Sequence, residues 1–132
     1  RHAIALRIAG RAPPALADAT AAEQILHNLL CNAMQALQRS DAPRQIWLRL
    51  SATPTQACCA VRDNGPGVPA AAQTQLFAPF FSTREGGLGL GLPLCQSLAL
   101  AMNGAVRFQS PAAGGAEFVL ALPLAPTPPH TA

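Results

Sequence analysis

Residues 57–67 read Ala-Cys-Cys-Ala-Val-Arg-Asp-Asn-Gly-Pro-Gly. An apolar strand ends at Asp63, and the chain then turns on Gly65 and Gly67. An isolated Asp-Asn-Gly is usually a hairpin turn. The chemical alternative is a buried carboxylate at a strand end. Such a group accepts a hydrogen bond from an exocyclic amine, as on adenine. Gly65 and Gly67 would let a flat ring approach the backbone with no Cβ in the way.

Working outward from this stretch, residues 45–52 alternate through Ile46, Leu48 and Leu50. They pair with the 57–62 strand through the turn at Thr53–Thr55. Residues 2–9 form a further strand with Ile4, Leu6 and Ile8 on one face. Between them, Ala19 to Gln38 carries the longest helical pattern in the chain. Its apolar stripe comprises Ile25, Leu26, Leu29, Leu30, Ala33, Met34 and Leu37, and Ser40, Asp41 and Pro43 end it. Asn28 and Asn32 stand four apart in that helix, so they share a face. They are either edge residues bonded to nearby backbone or a pair of amide oxygens facing a cleft. In the second reading one of them ligates a hard cation such as Mg²⁺.

Downstream of Pro69 a short helix is expected over Ala70–Phe77, then a loop from Ala78 to Gly91. Phe77, Phe80 and Phe81 cluster there; Phe77 and Phe80 read as apolar anchors for the loop. Arg84 stands just before Gly86-Gly87-Leu88-Gly89-Leu90-Gly91, where it could reach a terminal phosphate. Glycine alternating with leucine at the start of a helix presents backbone N–H groups that attract phosphate. No Lys follows, so this is not the common phosphate loop. A dinucleotide fingerprint is excluded too, because the run follows no strand of a βαβ unit. The second long helix opens near Leu92, with Pro93 in its first turn, and stops at Asn103-Gly104. Strands follow around Val106 and Phe108 and around Phe118, Leu120 and Leu122. The pattern implies an α+β fold, helices segregated on one face of a mixed, mostly antiparallel sheet.

A chain of 132 residues suits one domain, here residues 1–124, with a Pro-rich tail at 125–132. All nine basic residues are Arg, and they lie scattered against a net charge of +3. No basic run marks a nucleic-acid binder. Cys31, Cys58, Cys59 and Cys95 form no metal-type spacing and read as reduced, mostly buried thiols of a cytoplasmic domain. Cys58 and Cys59 should point to opposite faces of their strand. No apolar run is long enough to span a membrane. With no initiating Met, the chain reads as a fragment of a parent protein, whose membrane anchor would not be visible here.

Taken in order, the four motifs resemble the N, G1, F and G2 boxes of sensor histidine kinases. These belong to the superfamily that includes DNA gyrase, the Hsp90 chaperones and MutL. The resemblance spans residues 3–123. It implies a two-layer α/β sandwich with ATP held between helices and sheet. By position it makes Asn32 the Mg²⁺ ligand, Asn28 a phosphate and metal-water contact, and Asp63 the adenine-reading acid. Gly65 and Gly67 become the G1 glycines. Gly87, Leu88, Gly89, Leu90 and Gly91 lie under the phosphates, and residues 68–88 become a lid over them. Asn28, Asn32 and Arg84 are then the catalytic set. The Phe-Phe-Ser-Thr-Arg lead-in resembles nitrogen-sensing and dicarboxylate-sensing kinases.

Two positions depart from the family pattern. Gly115-Ala116-Glu117-Phe118 resembles the closing strand motif, which often carries a hydroxyl residue where this chain has Ala116; modest nucleotide affinity is expected. Gln35 replaces a frequent Lys or Arg, leaving a phosphate charge for Arg84.

The resemblance implies transfer of the γ-phosphate of ATP to a histidine on a separate dimerisation domain of the same protein. A response regulator is then the indirect partner. The parent would be a homodimer through that missing domain, the fragment a monomer. His2, His27 and His130 do not sit in a phospho-acceptor context, and His27 reads as structural. The rivals are a superfamily ATPase, an anti-sigma-type serine kinase, and a nucleotide-binding scaffold without catalysis. The first two place a general-base Glu four residues before the metal-ligand Asn; here that position is Asn28.

Overall fold

The computed structural model describes residues 3–38, 40, 43–78 and 91–125. The segment 79–90, with Phe80, Arg84, Gly87, Leu88, Gly89 and Leu90, lies outside the described residues. So do His2, His130 and the tail from 126.

Among the described residues five strands and three helices follow in the order β1 (Ile4–Gly10), α1 (Ala19–Leu37), β2 (Arg44–Ala52), β3 (Gln56–Asp63), α2 (Ala70–Gln73), α3 (Gly91–Ala101), β4 (Ala105–Gln109) and β5 (Ala116–Pro123). The sheet order is β1-β2-β3-β5-β4. Only β1 and β2 run parallel, and α1 makes the crossover between them. The other three pairings are antiparallel. The expected α+β fold, with its mixed and mostly antiparallel sheet, is therefore the one observed. β2 and β3 form the expected hairpin, closed by Thr53 N–H on Gln56 O at 2.9 Å.

Asp18 sets the start of α1. Its Oδ1 accepts from Thr20 N–H at 2.9 Å and Ala21 N–H at 3.2 Å, a cap worth about 1 kcal/mol. Ile25, Leu29, Ala33 and Leu37 of α1 are buried. They pack with Cys95 and Ala99 of α3 against Ile46, Val61, Phe118, Leu120, Leu122 and Val106, all from one face of the sheet. Gln96 locks α3 to the β4 edge. Its amide donates to Val106 O at 2.8 Å and accepts from Val106 N–H at 2.9 Å.

Three expectations need adjustment. The helix after Pro69 ends at Gln73 rather than Phe77. No side chain caps it, and Leu76 is buried in the core. Phe77 packs edge-on against Phe118 with centroids 6.3 Å apart, which confirms it as an apolar anchor. Second, Met34 belongs to the apolar stripe but is 47% exposed. Third, Ile4, Leu6 and Ile8 do share a face, yet only Ile4 packs on the core. The helices pack against β2, β3, β5 and β4, so Leu6 and Ile8 on the edge strand stay uncovered.

All four cysteines are free, three of them buried and Cys31 half-buried. Cys58 joins a small cluster with Val119 and Ala121 on the outer face. Its neighbour Cys59 sits opposite Leu120 of the core, as strand alternation requires. Burial pushes the Cys59 thiol up to about 11. It is uncharged at neutral pH and correspondingly inert.

Candidate active site

The end of β3 delivers Asp63 to the interior, 2% exposed. Burial raises its carboxyl above the ordinary 3.8, while the backbone N–H groups of Gly65 and Ala116 and the nearby Arg62 draw it back down. Gly65 N–H reaches Asp63 Oδ1 at 2.8 Å. Ala116 lies directly opposite Asp63 in the β3–β5 register, so the closing strand forms one wall of this pocket.

The turn after Asp63 is held on both sides. Asn64 Oδ1 accepts from Gln45 N–H at 2.8 Å, and Asn64 Nδ2 donates to Pro43 O at 2.7 Å. A Cβ at Gly65 would lie 3.0 Å from Asp63 Oδ1 and 3.3 Å from Ala36 O. The turn thus abuts α1 one turn beyond Asn32. Gly67 has φ +78°, and a Cβ there would come 3.0 Å from Gly115 O. The fold itself thus gives a reason for both: a left-handed backbone at Gly67 and a tight approach at Gly65. The sequence supplied only a ligand-based reason for them.

Asn28 and Asn32 are half-buried on α1. Asn28 hydrogen-bonds Cys95 of α3 through its side chain, while the Cys95 thiol donates to Ile25 O at 3.8 Å. The asparagine face therefore lies between the Asp63 turn at one end and the first turns of α3 at the other. Gly91 opens α3 with nothing within 4 Å of a notional Cβ. His27 is exposed, its Nε2 3.6 Å from Cys31 Sγ, and sits on the outer side of α1.

Asn28, Asn32, Asp63, Gly65, Gly67 and Gly91 are thus brought around one region, although Asn28 and Gly91 are 63 residues apart in the chain. Arg84 and the residues Gly87 to Leu90 lie outside the described residues. Reasoning from sequence missed Cys95 as the partner of Asn28, because a contact between two helices leaves no local signal. It also missed why Gly115 must be glycine. Its φ is +82°, and a Cβ would run into the Asp63 carbonyl.

A family model described as histidine kinase-, DNA gyrase B-, and HSP90-like ATPase matches residues 17–126. The chain belongs to this ATPase family. Its relatives include the sensor histidine kinase TmoS of Ectopseudomonas mendocina, 36% identical over 121 residues, covering 89% of this chain and 12% of TmoS. The C4-dicarboxylate transport sensor protein DctB of Pseudomonas aeruginosa is 39% identical over 118 residues, 88% of this chain and 19% of DctB. The histidine-protein kinase AtoS of Escherichia coli is 38% identical over 114 residues, 86% and 18%. The chain spans under a fifth of the length of these three relatives. Among solved structures, the mycobacterial sensor histidine kinase MprB superposes with TM-score 0.79 at 26% identity, covering 94% of this chain and 84% of that one. Full-length ShkA in complex with AMPPNP gives 0.76 at 34% identity, covering 94% and 26%. The fold is that of histidine kinase catalytic domains.

Among the described residues no helix is long and apolar enough to cross a membrane.

Proposed function

We propose that this chain is the ATP-binding catalytic domain of a two-component sensor kinase, binding Mg-ATP and donating its γ-phosphate to a histidine on a separate dimerisation domain. The observation that carries the reading is Asp63: a buried carboxylate, braced by two backbone N–H groups, beside a glycine turn that abuts α1 one turn beyond Asn32. One carboxylate oxygen accepts the adenine amine. Asn28 and Asn32 meet the phosphates and their metal, and Gly91, the glycine run and Arg84 supply further phosphate contacts.

Among the described residues no group of three or more His, Cys, Asp and Glu could hold a metal ion. Mg²⁺ would arrive on ATP, since this ion keeps several waters and is held largely by the substrate's phosphates. Asn32 then supplies a single neutral oxygen. The metal neutralises charge on the transferred phosphoryl group, and the protein's share is positioning. The acceptor histidine, the response regulator, a cytoplasmic location and a homodimeric, membrane-anchored parent belong to the same proposal.

The rival reading, an ATPase or serine kinase of the same superfamily, fits less well for one reason. Family members that hydrolyse ATP or phosphorylate serine need a general base, and Asn28 cannot take a proton. That favours transfer to an imidazole, which is itself the nucleophile. ATP titration by calorimetry, with and without Mg²⁺ and with Asp63→Asn, tests the reading. Binding by the parent chain that is lost in the variant is expected. No binding by the parent chain overturns it, and binding without transfer to a supplied histidine domain favours a scaffold.

A further inference from the structure

The nine arginines look scattered in sequence, but folding gathers four of them. One cross-strand row of the outer sheet face runs Arg7, Trp47, Arg62, Glu117, Gln109; the next runs Ala9, Arg49, Ala60, Val119, Arg107. Among the described residues no helix packs there, since both long helices pack on the opposite face. Arg7, Arg49 and Arg107 are exposed. Arg62 stacks on Trp47 with its guanidinium 4.7 Å from the ring centroid. Among the described residues of this face, four arginines against the carboxylate Glu117 leave three positive charges, which equals the net charge of the whole chain. Val119 is 7% exposed. In its row it stands between Ala60 and Arg107, and it packs in a small cluster with Cys58, Ala121 and Ala60.

We propose that this face docks an acidic protein segment through Arg7, Arg49, Arg62 and Arg107. Neighbouring strands are about 4.8 Å apart, so Arg7 and Arg62 stand roughly 10 Å apart and Arg49 and Arg107 roughly 14 Å apart. Strands hold these separations rigidly. Planar guanidinium forks at fixed spacing suit carboxylates, which they meet with two parallel hydrogen bonds. Arg62 is pre-oriented by its stack on Trp47, and its buried Nε has no hydrogen-bond partner. Two other polyanions fit less well. A nucleic acid would need a free aromatic for base stacking, and Trp47 is already covered by Arg62. A membrane surface would need exposed apolar side chains beside the charge, but Leu6, Ile8 and Leu50 point to the opposite face of the sheet. The inference is independent of the nucleotide reading.

The test is fluorescence anisotropy of a labelled oligoglutamate peptide against the whole chain at low and physiological salt. Binding that weakens with salt is expected, and Arg49→Glu with Arg107→Glu should weaken it by about tenfold or more. Arg44→Glu, on the other face of β2 with Ile46, should leave it near the parent value. Circular dichroism of each variant checks the fold, and Arg107→Glu alone provides a milder version. Equal binding by the double variant overturns the proposal. So does tighter binding to an oligo-dT strand or to phosphatidylserine vesicles than to the peptide.

Discussion

Gly65 donates its N–H to Asp63 Oδ1 at 2.8 Å, and a Cβ at position 65 would sit 3.0 Å from that same oxygen. The glycine is thus the donor that steadies the buried carboxylate, and a side chain in its place would press on that same oxygen. Asp63 and its turn act as one unit, and most of the predictions below probe it.

The pH dependence of stability follows from the raised Asp63 carboxyl. Between the ordinary 3.8 and the higher folded value, the native state holds more protons than the unfolded chain. The contribution of Asp63 is full below that window and is lost as pH rises through the folded value. Without nucleotide, Asp63→Asn should remove this component, flattening stability across the window while abolishing ATP binding. Urea unfolding from pH 3.5 to 7 reads the slope, and an unchanged slope in the variant rejects the assignment.

Gly115→Ala should damage the fold more than Gly65→Ala. Position 115 combines φ +82° with overlap of the Asp63 carbonyl, and the left-handed backbone alone costs about 1–3 kcal/mol. Position 65 asks only for a shift of a few tenths of an ångström, so its loss should appear mainly in nucleotide affinity. Thermal melts and calorimetry on both variants separate the two. The reverse ranking of melting temperatures contradicts the geometry.

Ala116 faces Asp63 across the β3–β5 ladder. Ala116→Ser places a hydroxyl donor beside the carboxylate, and one such hydrogen bond is worth about 1 kcal/mol, roughly fivefold in affinity. Tighter ATP binding by the variant is the expected result. Weaker or unchanged binding means the small residue is not what limits affinity.

Asn28→Glu installs a general base where hydrolysing relatives keep one. Steady-state phosphate release should rise above that of the parent chain. Background hydrolysis in a variant that still binds ATP removes the argument that Asn28 marks a histidine-directed kinase.

Gln96→Ala breaks both hydrogen bonds to Val106. The freed edge groups are part-buried, so a loss of about 1–3 kcal/mol is expected, with α3 loosened from β4. Chemical denaturation measures it, and a change below about 0.5 kcal/mol would mean water replaces the amide freely.

Much of this was legible in the chain. Strand alternation located every strand, and the 3.6-residue period located both long helices. The apolar anchor Phe77 and the glycine stops were local signals too. The helix over Ala70–Phe77 was overstated. Leu76 and Phe77 turn into the core and end it early, a tertiary demand that no local pattern records. The asparagine pair and Asp63 could be singled out because polar residues interrupt apolar patterns. Cys95 could not, because a thiol in an apolar helix looks like packing.

By itself the sequence determined which residues are polar against an apolar background, and hence the elements and the order of the four motifs. Only the tertiary structure decided what those residues meet. Inserting β5 between β3 and β4 sets Ala116 against Asp63. The burial that results raises the Asp63 carboxyl. The same strand order lines Arg7 with Arg62, and Arg49 with Arg107, on one open face. Alternation within a strand is local, but which strands lie side by side depends on long-range pairing, and charge accumulates only across neighbours.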